Sequence, residues 1–243
     1  MKIVLTPDWF LGKDVLIDAF SFIVLFIFSF LCFKNYKLKK NKKFIYLGGG
    51  FALIALAQLA TIMTKLVLYY DSTLTRTIGE IIVTYHVVKS VDIFYHLGFF
   101  FYRFLTLLGF YIIYKLPIKK RDFEDFFLAL FFITLLSILS KDKFHLFYLT
   151  ALVLLILITK KYCLVYDKNK SKNTMILIFA FALLALSNII FTFSGLSEMY
   201  VTANFLELVS YITLLILIMR ILKHGTEKKQ NGYYLRHARD NPK

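Results

Sequence analysis

Seven stretches of the chain stay apolar for about 18–27 residues each, enough to cross a bilayer as a helix, which takes about 17–25. They fall at about 15–33, 44–70, 91–116, 123–140, 144–162, 174–194 and 199–222. The fourth and fifth are short and meet at SKDK, residues 140–143. One continuous helix there would carry Lys141, Asp142 and Lys143 into hydrocarbon, which is costly, so a hairpin is the cheaper arrangement. The pattern therefore predicts an all-α membrane protein, a seven-helix transmembrane bundle.

The polar positions between these stretches set the orientation. Lys34, Lys37, Lys39, Lys40, Lys42 and Lys43 fill the first connection. Lys115, Lys119, Lys120 and Arg121 follow the third stretch, and Lys160, Lys161, Lys168, Lys170 and Lys172 follow the fifth. The tail adds Arg220, Lys223, Lys228, Lys229, Arg236, Arg239 and Lys243. With seven spans, all four segments lie on one side. The other side and the outer helix ends hold Lys2, Lys13, Lys65, Arg76, Lys89, Lys141 and Lys143. Lys and Arg concentrate in cytoplasmic loops, which predicts an outside N-terminus and a cytoplasmic C-terminus for a multi-pass protein of the cytoplasmic (plasma) membrane. The chain then divides into an external segment 1–14, a seven-helix domain 15–222 and a basic cytoplasmic tail 223–243.

The N-terminus lacks the short apolar core and small residues of a cleavable signal peptide. Trp9 and Phe10, beside Pro7 and Asp8, suit an interfacial anchor. Residues 71–90 form the one long external connection. There Leu74, Ile78, Ile81, Ile82, Tyr85 and Val88 recur at helical spacing, with Arg76 and Glu80 one turn apart on the polar side. This reads as a helix lying in the outer interface. The density of β-branched residues leaves a short strand pair as the alternative.

Composition agrees. Of 243 residues, 59% are hydrophobic and 19% charged, against about 45–50% and about 25% in soluble domains. A soluble globule is excluded. The net charge of +15 is then first a topological signal and only second a hint of anionic partners. Cys32 and Cys163 have no CxxC spacing and give no disulfide or zinc framework.

Two spans carry similar strings at an offset of 130 positions: FALIALAQL at 51–59 and FALLALSNI at 181–189. The same offset overlays the first span on the fifth and loop 34–43 on loop 164–173. The third span then corresponds to the seventh, with 71–90 as an insertion. Spans 1–3 and 5–7 would be two units of the same orientation, joined by an inverting fourth span. Parallel repeats about an axis along the membrane normal occur in transporters. The plan resembles the three-plus-one-plus-three arrangement of sugar-efflux and PQ-loop transporters, and also the plan of opsins and other seven-helix receptors. The resemblance covers 15–222 in topology and about nine residues in sequence, as in a prokaryotic seven-helix family of this plan. The motifs of the named groups are missing. The chain has no Pro-Gln pair, and its prolines are Pro7, Pro117 and Pro242. No retinal-holding lysine lies in the seventh span, the third span ends in YKLP, and the last span has neither NPxxY nor the HxxxH of the seven-helix zinc amidohydrolases.

Among residues with chemistry to offer, Arg103 stands roughly 15 Å into the third span at 1.5 Å per residue. At that depth an ionisable group faces the bundle interior and needs a partner. Glu207, about eight residues into the seventh span, is the expected one. The pair reads either as a register-fixing ion pair or as a polar site for an anionic or zwitterionic ligand. Gln58 and Asn188 occupy equivalent places in the repeat. They read as interhelical hydrogen-bonding amides, or as a pseudo-symmetric ligand site. Lys65, near the outer end of its span, is expected to snorkel, and Asp18 lies at the same level. Asp92 and His96 share a helix face, and with His145 they form a weak metal-site geometry without a supporting signature. Interfacial histidines are the plainer reading, and no cofactor is implied. Gly48, Gly49 and Gly50 open the second span, where close helix packing explains them better than a phosphate loop.

The tail carries an Asn231–Gly232 turn signal and a Tyr233–Tyr234–Leu235 interruption of its charge. It is attracted to anionic headgroups by about 1 kcal/mol per basic residue near the surface. Docking of a protein partner, or of RNA or the ribosome with aromatics stacked between cations, is the other reading. Lys37, Lys39, Lys40, Lys42, Lys43, Lys119, Lys120, Arg121, Lys228, Lys229, Arg236 and Arg239 would form the docking face. No catalytic constellation emerges. The expected role is a non-enzymatic receptor-like or scaffold subunit of a membrane assembly. A small-solute transporter with a central polar site is the alternative.

Overall fold

The computed structural model describes residues 7–10, 12–77, 84–115, 123–141, 143–193 and 197–240, the backbone alone in parts of this range. It is all-helical. After a 3-10 turn at Asp8–Phe10 come seven helices: α1 Lys13–Lys39, α2 Lys43–Thr77, α3 Thr84–Tyr114, α4 Phe123–Leu139, α5 Phe144–Asn169, α6 Lys172–Thr192 and α7 Ser197–Asp240.

Six of the helices contain segments long and apolar enough to cross a membrane: Lys13–Leu38, Lys43–Val67, Tyr95–Tyr114, Phe144–Asn169, Lys172–Thr192 and Glu198–Lys223. α4 is apolar beyond Glu124 and Asp125 in its first turn but has only 17 residues. At 1.5 Å per residue it spans about 25 Å, against a hydrocarbon core of about 30 Å. Large apolar side chains point outward around the bundle, among them Phe30, Phe131, Phe179 and Phe205. Water would penalise that surface and lipid would not. The chain is a multi-pass membrane bundle.

Neighbouring helices run antiparallel. Asp14 and Asp18 at the start of α1 meet Lys65 near the end of the apolar part of α2, and Gly98 near the start of α3 lies against Thr64. His145 at the start of α5 reaches the carbonyl of Thr192 at the end of α6. The α1 start and the α4–α5 turn therefore share one end of the bundle, here the upper end. The turns at 40–42 and 170–171 share the lower end.

α2 packs along both α1 and α3, and α6 along both α5 and α7. Narrower seams, α3 against α5 and α1 against α7, close the bundle, and α4 sits outside against α3 with slight contact to α5. The α2·α3 seam depends on glycine. A Cβ on Gly50 would stand 2.9 Å from the Gly109 carbonyl oxygen, and one on Gly109 would stand 2.8 Å from that of Gly50. The GGG run thus contributes close packing through Gly50, whereas nothing lies within 4 Å of a Cβ placed on Gly49.

Two expectations are corrected. Residues 71–77 and 84–90 do not form a separate interfacial helix or strand pair. Their first part extends α2 to Thr77 and their last part opens α3 at Thr84, with 78–83 outside the described residues. The tail does not turn at Asn231–Gly232. α7 continues through it to Asp240, because the segment is otherwise rich in helix formers and an interior glycine, here Gly225 and Gly232, costs only about 1 kcal/mol relative to alanine.

Candidate functional site

The buried charged residues among those described are Asp14, Asp18 and Lys65, and all three lie at the upper end. Lys65 Nζ stands 2.6 Å from Asp18 Oδ2 and 3.0 Å from Asp14 Oδ2. The expectation that Lys65 snorkels to the interface is overturned. Its residue is 8% exposed, because two aspartates one turn apart on α1 present carboxylates to the same face of α2. The Gly12 amide donates to the other Asp14 oxygen at 3.1 Å. Hydrogen bonds of this kind and opposite charge are what make buried ions tolerable.

Deeper in the bundle a second polar group joins α2 to α7. Gln58 Nε2 donates to Glu207 Oε1 and to the Tyr211 hydroxyl, each at 3.3 Å, and the Tyr211 hydroxyl donates to the same Glu207 oxygen at 2.9 Å. Glu207 also lies within electrostatic reach of Asp18 and Lys65, so the two groups form one descending polar column between α1, α2 and α7. Tyr102 and Tyr148 border the column from α3 and α5, with the Tyr102 ring centroid 5.4 Å from that of Phe147.

Below the column the interior is mostly apolar, and the buried Ser29 and Ser210 hydroxyls there donate to the Gly48 and Ala180 carbonyls. Leu25, Phe28, Phe51, Leu155, Ile158, Phe181 and Leu214 are all buried there. The Phe51 ring packs on Phe28 at 4.6 Å and stacks on Phe181 at 6.1 Å between centroids.

Of the four residues expected at the centre, the structure thus brings together Gln58 and Glu207. Asn188 instead donates to the Leu184 carbonyl of its own helix at 2.8 Å. Arg103 does not pair with Glu207 among the described residues. It faces α4 and lines a cavity of about 160 Å³ with His96, Ser137 and Lys141. Depth along two helices was legible in the sequence, but azimuth was not, and the two side chains leave the bundle axis in different directions. Tyr211 and Asp14 were missed. The available signal was spacing, since Glu207–Tyr211 and Asp14–Asp18 are both i, i+4 pairs.

The weak metal set does not assemble among the described residues, where no three potential ligands converge. His96 faces α4, His145 Nδ1 lies 2.6 Å from the Thr192 carbonyl oxygen, and the Asp92 side chain is outside the described residues. At the lower end, Lys37, Lys40, Lys42 and Lys43 are exposed around the first turn. Lys119, Lys120 and Arg121 lie outside the described residues, as do the side chains of Lys39, Lys228, Lys229, Arg236 and Arg239. No family model, curated protein or solved structure matches the chain.

Proposed function

We propose that the chain is a non-enzymatic seven-span subunit of the cytoplasmic membrane, receptor-like or scaffolding, with its N-terminus outside and its basic end in the cytoplasm. The observation that carries this reading is the contrast between the two ends. A buried ionic column occupies the upper half, a packed apolar layer closes the bundle beneath it, and exposed cationic side chains such as Lys37 and Lys42 stand at the lower rim. A polar column that stops at stacked aromatics suits a bundle that senses or is braced at one end and docks at the other. The lower face would take an acidic protein partner, with anionic lipid as its default counterion.

Orientation rests on the distribution of lysines, and the seventh crossing rests on α4 running back beside α3. In support of a duplicated plan, the helix seams repeat after four helices: α1–α2–α3 matches α5–α6–α7, and the α3·α5 seam matches α7·α1. The turns match as well. Lys40 and Lys170, 130 positions apart, are both left-handed, at φ 53° and 46°. Their amides donate to the Tyr36 and Tyr166 carbonyls at 2.7 Å.

A small-solute transporter is the second reading. It is favoured by the Gln58–Glu207–Tyr211 group at mid-depth, where α7 of one triplet meets α2 of the other. Purification with native associates, washed with rising salt and repeated after deletion of residues 224–243, separates the two. Electrostatic docking predicts an associate released as the Debye length falls from about 10 Å at 0.1 M to about 3 Å at 1 M, and weakened by the deletion. An associate that survives 1 M salt and ignores the deletion overturns charge-based docking. Counterflow of a solute in proteoliposomes, abolished by Glu207→Gln, would establish transport instead.

A further inference from the structure

The crevice between α3 and α4 has a chemistry unlike the rest of the bundle. Its polar lining is Arg103, His96, Lys141, Ser137 and Tyr95, and among the described residues no carboxylate contributes to it. Arg103 has no hydrogen bond or ion pair among the described residues, although it stands eight residues below Tyr95, about 12 Å into the span. A guanidinium does not lose its proton, and an unpaired charge at such depth is costly. Among the described residues, the carboxylates inside the bundle are committed elsewhere, Glu207 to Gln58 and Tyr211 and Asp14 and Asp18 to Lys65. No described side chain supplies its counter-charge, which leaves place for an anion brought by a ligand.

The walls say what kind of molecule brings it. α4 packs on α3 at the outside of the bundle, and the apolar lining of the crevice is Phe99, Phe100 and Ile138, of which Ile138 is 57% exposed. Such a flank suits an acyl chain. Lys141 stands exposed at the α4–α5 turn, where the crevice meets the polar end of the bundle. Arg103 offers the planar donor fork that binds phosphate oxygens in pairs, and Lys141 adds a point charge.

We propose that the α3–α4 crevice is a binding site for a phosphate group, supplied by the headgroup of an anionic phospholipid whose acyl chains lie along α3 and α4. The inference does not depend on receptor, scaffold or transport function.

The test is native mass spectrometry of the full chain released from nanodiscs containing phosphatidylglycerol in a phosphatidylcholine background. Wild type should keep one phosphatidylglycerol at energies that strip the others. Arg103→Gln should weaken that retention about tenfold, the loss of one strong charge-assisted contact of about 1.4 kcal/mol. Lys141→Gln, at an exposed turn and so safe for folding, should weaken it by a smaller factor. Lys143→Gln, at the same turn but outside the crevice, should leave it unchanged. Equal retention in wild type, Arg103→Gln and Lys141→Gln overturns the site, and equal loss in Lys143→Gln reduces it to general surface charge. In a second arm, glycerol 3-phosphate is added to protein in neutral detergent. Thermal stabilisation matching that by phosphatidylglycerol would contradict the lipid assignment and leave a soluble phosphate as the occupant. Stabilisation by the lipid alone supports it.

Discussion

Phe51 on α2 stacks on Phe181 on α6, with planes 14° apart, and the two residues occupy the same place in strings 130 positions apart. Residues related by a two-fold axis touch one another only when they lie on it. The contact is therefore what a duplicated bundle would show at its centre. Truncating a buried phenylalanine to alanine costs about 3–5 kcal/mol. Phe51→Ala and Phe181→Ala should each destabilise on this scale in detergent unfolding. The double variant should fall short of their sum by at least about 0.5 kcal/mol, the signature of residues sharing one contact. Strict additivity would remove the pair from the axis.

Lys65 holds two carboxylates inside the upper end. Removing one partner of a buried ion pair typically costs about 3–5 kcal/mol. Lys65→Met should lower the unfolding midpoint strongly, because it removes the ammonium that the buried Asp14 and Asp18 share. Adding Asp14→Asn and Asp18→Asn to Lys65→Met should recover a large part of the loss, since neutral amides do not need the ammonium. A triple variant no more stable than Lys65→Met would contradict the ionic account.

Adjacent glycines should behave oppositely. Gly50→Leu drives a side chain into the Gly109 backbone and should destabilise by at least the 1–3 kcal/mol of an overpacked core. Gly49→Ala adds a methyl group to open space and should stabilise by up to about 1 kcal/mol, the helix-propensity difference. Thermal midpoints of the two variants check the α2·α3 crossing, and equal effects would refute it.

The helices were legible because apolar length is a direct physical requirement of the bilayer. The lysine-rich turns were legible because charge is excluded from it. What failed depended on direction around a helix. Arg103 and Glu207 looked like partners from their depth, yet one turns toward α4 and the other toward α2. Lys65 looked like a snorkelling residue because its partners lie on another helix, and Asp14 stood in a segment read as lying outside the bundle. Boundaries failed where propensity alone had to decide, as at Gly232, where one weak helix position does not stop a helix flanked by strong ones. Gln58 donates across to α7, as the first of its two readings has it. Asn188, at the equivalent place, back-bonds to its own helix, so similar sequence does not ensure similar bonding.

The two-ended account stands or falls on which residues face the cytoplasm, and cysteine accessibility reads this directly. In a Cys32→Ser, Cys163→Ser background, single cysteines are placed at Asn41 in the first lower turn and at Lys143 in the α4–α5 turn. A membrane-impermeant maleimide is then applied to intact cells. The account predicts labelling at position 143 on intact cells, and labelling at position 41 only after permeabilisation. Labelling of position 41 from outside, or equal access to both positions, would contradict it.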